Sequence, residues 1–228
     1  MPCRQLRERP AMSEPHEPAG AGAALKRVDQ QCGSGYAVTE TVVSVRRGGA
    51  VKRDGQVGGG EATIRPLGRP GDLGWVVMAH GEVYAAEYGF NGEFEALVAR
   101  IVADYAAGPD PRREAAWIAE VGGQRAGCVF LVAKDAETAQ LRILLVDPGA
   151  RGRHLGRRLV AECIEFARTA GYRRMILWTN EPLAAARRIY LAAGFSLVSE
   201  EPHHSFGVDL TGQYYELDLA GELSAAPR

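Results

Sequence analysis

Long hydrophobic runs are missing from this chain of 228 residues, and so is a marked excess of one charge. No apolar stretch approaches the ~20 residues of a membrane-spanning helix, and the first residues lack the apolar segment of a signal peptide. The formal net charge of −1 provides no general attraction to nucleic acid or to an anionic membrane surface. We therefore expect a cytoplasmic protein that binds neither membrane nor nucleic acid.

Cysteine is also scarce, with four residues in the whole chain. Cys3, Cys32, Cys128 and Cys163 form no Cys-x-x-Cys pair and have no neighbouring residues at metal-ligand spacing. Cys128 and Cys163 fall in apolar patterns, which favours reduced thiols in a core over a disulfide. The sequence therefore predicts no metal site.

Residues 1–60 contain little from which a core could be built. They hold ten of the 28 glycines, and Tyr36 is their only aromatic residue. We predict a low-complexity, disordered extension here, although residues 37–45 have the composition of an isolated strand. No helix-turn-helix pattern is found in this segment. The folded domain is expected over residues 61–221, followed by a tail at 222–228.

From residue 61 onward, the hydrophobic periodicity predicts an α/β domain. A strand at 62–67 precedes a helix that is capped by Asp72 and ends near Tyr88. A Gly-containing turn at 122–123 predicts a hairpin. The order β-α-α-β-β-β-α-β-α-β-β indicates three layers, with a central mixed, mostly antiparallel sheet flanked by helices. The remaining helices are predicted at 92–106, 154–170 and 182–193, and the remaining strands at 115–120, 126–132, 140–146, 174–179, 195–199 and 213–219.

The most informative segment joins an apolar strand to an amphipathic helix between residues 144 and 160. The strand stops at Asp147-Pro148, and a loop rich in glycine and arginine leads into the helix. This order brings the free N–H groups of a helix start beside several guanidinium groups, an arrangement that suits a pyrophosphate. The alternative is an ordinary connection whose arginines are solvated.

Two motifs here resemble those of the GNAT family of N-acetyltransferases. The loop Arg151-Gly152-Arg153-His154-Leu155-Gly156 resembles the pyrophosphate motif Arg/Gln-x-x-Gly-x-Gly/Ala, with His154 in the place of the first glycine. Asn180 and the later Tyr190-Leu191-Ala192-Ala193-Gly194-Phe195 resemble the second family signature. The likeness covers residues 62–219. It is greatest to the acetyltransferase domain of bacterial MarR–GNAT fusion proteins, without their helix-turn-helix half.

The resemblance implies the GNAT fold and an N-acetyltransferase activity that uses acetyl-CoA as co-substrate. The acetyl group would pass to a primary amine by direct attack in a ternary complex. The acceptor would be a small-molecule amine or a lysine side chain, and the protein a monomer or homodimer. A non-catalytic acyl-CoA-binding sensor or regulatory module is the alternative, and His154 in the phosphate loop is the feature that favours it.

The resemblance also implies the site residues. Tyr190 would act as general acid towards the departing thiolate, because a phenol of pKa near ~10 is protonated at neutral pH. The alternative role for Tyr190 is that of an aromatic residue packed in the core. The general base is sought on one helix face that carries His80, Tyr84, Glu87 and Tyr88, with Tyr84 and Glu87 preferred. Further candidates for the base are Glu120, His203, His204 and Asp209. The predicted cofactor residues are Leu145, Val146, Arg151, Gly152, Arg153, His154, Leu155, Gly156, Arg157 and Asn180.

Overall fold

A computed structural model describes residues 60–220, so the predicted extension, its isolated strand and the C-terminal tail lie outside the described residues. The elements follow in the predicted order. The helices are α1 (Asp72–Tyr88), α2 (Gly92–Ala106), α3 (Leu155–Thr169) and α4 (Ala184–Ala192). The strands are β1 (Ala62–Pro66), β2 (Ala115–Val121), β3 (Gln124–Ala133), β4 (Thr138–Val146), β5 (Arg174–Asn180), β6 (Ser196–Ser205) and β7 (Val208–Asp218).

The seven strands form one sheet in the order β1-β2-β3-β4-β5-β7-β6. Neighbouring strands are antiparallel except for β4 and β5, which run parallel because α3 crosses over between them. The predicted mixed, mostly antiparallel sheet is therefore confirmed. The parallel pair lies near the middle of the sheet, and the loop that the sequence singles out leaves the end of β4 and leads into α3.

Helices cover both faces of the sheet, as the predicted three layers require. On β2, Ala116 and Ile118 face the cluster that contains α1 and α2, whereas Trp117 and Ala119 face the cluster that contains α3. This alternation follows from the two-residue side-chain period of a strand. A strand buried on both faces reads as a continuous apolar run, which is what the sequence has here.

The predicted bounds of the last two strands were too short. Strand β6 continues to Ser205 and β7 begins at Val208, so the two form one long hairpin that turns at Phe206 and Gly207. Strand β6 is an edge strand, and most of its residues are exposed. Charged residues and a proline are common on exposed edges, where they discourage pairing with other chains. The sequence Glu200-Glu201-Pro202 therefore has a loop-like composition although it is a strand.

The predicted capping role of Asp72 was wrong by one residue. Gly71 caps α1 in a left-handed conformation with φ of 85°, and Asp72 is the first helical residue. The Asp72 carboxylate instead accepts hydrogen bonds from the N–H groups of Gly68 and Arg69, at 3.0 and 2.8 Å. It thus fixes the loop before the helix rather than the helix itself.

Asp72 is also the centre of a charged network under the first strands. Two bonds of 2.7 and 2.9 Å join it to Arg65 on β1, and one of 2.7 Å joins it to Arg125 on β3. Its side chain is only 1% exposed. The hydrogen bonds from Arg65, supported by those from Arg125 and the loop N–H groups, hold the pKa of this carboxyl well below its ordinary value of 3.8. The network therefore ties α1 to the sheet.

Three further observations concern the described part of the chain. Between residues 60 and 220, no helix is both long and apolar enough to cross a membrane. Over the same range, no group of three or more His, Cys, Asp or Glu side chains is arranged to hold a metal ion. Cys128 and Cys163 are buried with free thiols, as predicted from the apolar patterns around them.

Candidate functional site

A cavity of about 540 Å³ lies where the predicted loop meets α1 and α4. Its size is within the range of small-molecule and cofactor sites. Four segments contribute to its wall: the second half of α1, the end of β4, the loop with the start of α3, and α4. The lining residues are Val83, Tyr84, Glu87, Tyr88, Leu144, Leu145, Val146, Arg151, Gly152, His154, Leu155, Gly156, Arg157, Leu183, Ala185, Ala186, Arg188 and Ile189.

The sheet opens at this cavity because β4 and β5 separate. Their pairing runs from Thr138 and Arg174 to Leu141 and Leu177 and goes no further, although both strands continue. A bulge helps β4 to turn away. Between the pairs Cys128–Leu145 and Phe130–Arg142, β4 has one more residue than β3. Within this bulge Ile143 has a φ of 43°. Positive φ is strained for a β-branched residue. Such strain at the mouth of a cavity is typical of a functional site.

The loop itself is shaped by Asp147 and Gly152. The Asp147 carboxylate accepts a 2.8 Å hydrogen bond from the Gly149 N–H and starts a short 3₁₀ turn at Pro148–Ala150. Gly152 then takes a φ of 79°, which favours glycine because a side chain would be strained there. These two features turn the chain back towards the sheet before α3 begins.

His154 precedes α3 in a left-handed conformation, with φ of 59° and ψ of 16°. Histidine adopts this region more readily than a β-branched residue does. Its side chain makes no capping hydrogen bond to the helix. The first turn of a helix has no intrahelical acceptors for its N–H groups, and this helix start lies on the cavity wall. His154 occupies the position of the first glycine of the resembling motif. It does not cap the main-chain N–H groups of the helix start, which stay on the cavity wall.

Gly156 allows α3 and α4 to approach closely. It is buried, and a Cβ atom added to it would lie 2.7 Å from Cδ1 of Ile189 and 3.6 Å from Cγ2 of Val146. Any larger side chain would displace Ile189 or enter the cavity. A small residue here therefore keeps the cavity open beside the helix start.

Cationic side chains outnumber anionic ones around the cavity. The lining residues include three arginines, Arg151, Arg157 and Arg188, and one carboxylate, that of Glu87. Guanidinium groups and a helix start both attract anions. The sequence reasoning missed Arg188, because its position on an amphipathic helix is equally typical of a solvated arginine. The only sequence signal for a buried face on this helix was the spacing of Ala185, Ala186 and Ile189, which lie three and four residues apart.

All the predicted cofactor residues line this cavity except Arg153 and Asn180. The side chain of Asn180 is buried and bound to another strand. Its Oδ1 lies 3.0 Å from Nε2 of His203, whose Nδ1 lies 2.9 Å from Oγ of Ser205. The ring of His203 also lies against Trp178. In this structure Asn180 therefore joins β5 to the β6–β7 hairpin.

The predicted α1 face is divided between cavity and core. Tyr84, Glu87 and Tyr88 line the cavity, whereas His80 is completely buried beneath Tyr84 and does not line it. Nδ1 of His80 donates to the Val76 carbonyl at 2.8 Å, since a carbonyl only accepts. Burial lowers the pKa of His80 to about 4, so the ring is neutral. Within residues 60–220 its Nε2 has no hydrogen-bond partner.

Glu87 forms an ion pair with Arg151 in which both carboxylate oxygens contact the guanidinium group. Nη1 of Arg151 lies 2.8 Å from Oε1 of Glu87, and Nη2 lies 2.9 Å from Oε2. This contact links α1 to the loop across 64 positions of sequence. The remaining base candidates do not line the cavity. Glu120 pairs with Arg65 and Arg69, and His204 pairs with Asp209 on the exposed hairpin.

Tyr190 lies in the core behind the cavity wall. It is 5% exposed and packs against Phe195 and Tyr215, with ring centroids 5.9 and 6.3 Å away. Burial raises the pKa of its phenol, and the nearby phenol of Tyr84 raises it further. Tyr190 is therefore protonated at physiological pH, and it belongs to the core cluster that contains α3.

Comparison with known proteins identifies the family. Residues 75–195, more than half of the chain, match the model of the acetyltransferase (GNAT) family. The chain therefore belongs to the GNAT family. The fold agrees: YncA of Salmonella typhimurium, an acetyltransferase solved with its cofactor acetyl-CoA, superposes with a TM-score of 0.57. That match covers 74% of this chain and 98% of YncA at 20% identity, so it supports the fold alone.

Two curated relatives match in sequence over shorter stretches. Mycothiol acetyltransferase of Beutenbergia cavernae is 34% identical over 94 residues, which are 40% of this chain and 31% of that protein. N-acetylaspartate synthetase of Danio rerio is 34% identical over 85 residues, 37% of this chain and 30% of that protein. The matches span about a third of these relatives' length.

Proposed function

We propose that this protein is an N-acetyltransferase that transfers an acetyl group from acetyl-CoA to a primary amine in a ternary complex. The acceptor is a small-molecule amine or a lysine side chain. One observation carries the proposal: an α-helix start without a side-chain cap lies on a cavity wall among three arginines. A family member with this arrangement has the N–H donors and the positive charge that bind the diphosphate of CoA.

The loop and α3 hold the donor in this proposal. Main-chain N–H groups from Gly152 to Arg157 bind the diphosphate, and the lining residues Arg151, Arg157 and Arg188 add charge-assisted bonds. Gly156 has no side chain to occupy the space beside the helix start, where a Cβ atom would lie 2.7 Å from Cδ1 of Ile189. Acetyl-CoA supplies the acyl group as a reactive thioester. Its pantetheine arm would enter the gap between the separated ends of β4 and β5, beside the strand that bears Asn180.

The end of β4 orients the acyl group. A main-chain N–H at Leu145 or Val146 polarises the thioester carbonyl, as an oxyanion donor does. The strained bulge at Ile143 supports this role, because it separates this part of β4 from β5. A donor fixed in place by the sheet needs no reorganisation during the reaction.

Glu87 and Tyr84 serve the acceptor amine. The amine nitrogen attacks the carbonyl carbon, the new C–N bond forms and the C–S bond breaks, and one proton must leave the nitrogen. The Glu87 carboxylate accepts that proton. The half-buried phenol of Tyr84, whose pKa is raised chiefly by desolvation, remains protonated and, like Glu87, lines the cavity, where it is available as a hydrogen-bond donor.

Thiol release in the presence of amines tests this proposal. We expect acetyl-CoA to be consumed with at least one amine of a panel of polyamines, aminoglycosides, amino acids and lysine peptides. Free thiol and acetylated amine should form in equal amounts, because one acetyl group is transferred for each thiol released. Tight CoA binding without turnover across the whole panel would instead indicate a sensor module.

Tyr190→Phe should lower turnover about 100-fold, the lower limit for loss of a general acid, and leave CoA affinity within about twofold. The reason is that the change removes the proton destined for the thiolate sulfur but keeps the buried ring. Steady-state kinetics and calorimetry measure the two effects. Tyr215→Phe is the matched control, since it removes a hydroxyl from a buried tyrosine of the same cluster. Unchanged turnover in Tyr190→Phe would leave that residue with a packing role only.

A further inference from the structure

The proposed diphosphate site already contains an anion of the protein itself. Glu87 binds Arg151 through both carboxylate oxygens, at 2.8 and 2.9 Å. Both residues line the cavity, so this ion pair crosses the site from α1 to the loop. A carboxylate that meets a guanidinium edge-on uses the same two N–H donors that a phosphate group uses.

We propose that Glu87 competes with the acyl donor for Arg151, and that diphosphate binding exchanges one anion for the other. The exchange has a consequence for catalysis. While Glu87 is held by Arg151, both of its carboxylate oxygens contact the guanidinium group instead of an acceptor amine. Once the diphosphate takes Arg151, the carboxylate is released to the acceptor amine. This inference rests on the proposed function and adds to it a role for the Glu87–Arg151 ion pair.

Exposure makes the exchange feasible. The side chains of Arg151 and Glu87 are 47% and 26% exposed, so water screens their attraction. Exposed pairs of this kind are weak, whereas a diphosphate brings more charge and also binds the helix start. The two partners lie on different elements, Glu87 on α1 and Arg151 on the loop before α3.

Removing the charge of Glu87 tests the exchange, because the exchange predicts opposite effects on CoA affinity and on turnover. A residue that only supports the structure would not produce opposite effects. We expect Glu87→Gln to bind CoA at least threefold more tightly than the unaltered protein in calorimetry, because Arg151 is then free. The same variant should turn over more slowly, because its amide cannot accept the amine proton. Loss of a merely structural contact would weaken binding and turnover together.

A double-mutant cycle separates the exchange from simple charge repulsion. Arg151→Ala should weaken CoA binding, and in that background Glu87→Gln should give a much smaller gain. Glu95→Gln is the control, since it makes the same charge change on α2, outside the cavity. Thermal melts verify that each variant is folded. An equal gain with and without Arg151 would mean long-range repulsion and would overturn the exchange.

The outcomes also distinguish this inference from the proposed function. Unchanged or weaker CoA affinity in Glu87→Gln, in a protein that acetylates amines, overturns the exchange and leaves the function in place. Tighter affinity in Glu87→Gln, together with an unaltered protein that acetylates no amine, supports the exchange and contradicts the enzyme. A protein that binds no CoA at all contradicts both.

Discussion

Gly156→Trp is expected to weaken CoA binding by at least about 100-fold, equivalent to roughly 2.8 kcal/mol of binding free energy. Gly156 lines the cavity beside the helix start, and a Cβ atom there would already lie 2.7 Å from Cδ1 of Ile189. An indole ring at this position either displaces α4 or fills the space that the diphosphate needs. Both outcomes remove the ligand from the main-chain N–H groups.

Calorimetry with CoA measures this loss, and two further variants make the result interpretable. Gly74→Trp is the control, because Gly74 is exposed on α1 and has nothing within 4 Å of an added Cβ atom. Gly156→Ala should bind CoA with intermediate affinity, since the end of the Ile189 side chain is able to shift. A folded Gly156→Trp protein that binds CoA normally would exclude this part of the loop from the site.

Asp72→Asn is expected to lower the free energy of unfolding by about 3 to 5 kcal/mol, the usual cost of removing one partner from a buried ion pair. The carboxylate is 1% exposed and pairs with both Arg65 and Arg125. Urea unfolding at neutral pH measures the effect. Asp110→Asn, which alters an ion pair on the surface, should change stability much less.

The pH dependence of this loss follows from the low pKa of Asp72 in the folded protein. Because that pKa lies below the ordinary value of 3.8, folding favours the charged form. The stabilisation is complete well above the ordinary value and is lost as the pH falls towards the folded value. The unaltered protein and Asp72→Asn should therefore differ most at neutral pH and less at a pH of about 3.5. A difference that stays constant with pH would contradict the ionic role.

Local sequence patterns predicted most of the fold for a clear physical reason. Helix α2 was predicted with its observed bounds, because its apolar residues repeat at helical spacing and Asn91 caps it. Strand β6 was predicted too short, because an edge strand lacks the apolar alternation of a half-buried one. Periodicity reports burial, so it fails where a regular element is exposed.

The candidate site was predictable to the extent that its contacts are local. The loop from Arg151 to Gly156 is one continuous motif, and the structure brings most of it to the cavity wall. The contacts of Glu87 with Arg151 and of Asn180 with His203 join distant positions. No spacing rule predicts such pairs, because they depend on how helices and strands come together in the tertiary structure. The burial of Tyr190 depends on the same packing.

Calorimetry of the full-length protein with CoA and with pantetheine, which lacks the diphosphate, is the most direct test of the central claim. The account predicts that CoA binds and that pantetheine binds at least about 100-fold more weakly, because the loop and helix start recognise the diphosphate. Equal affinity for the two compounds, or no binding of CoA, would contradict it.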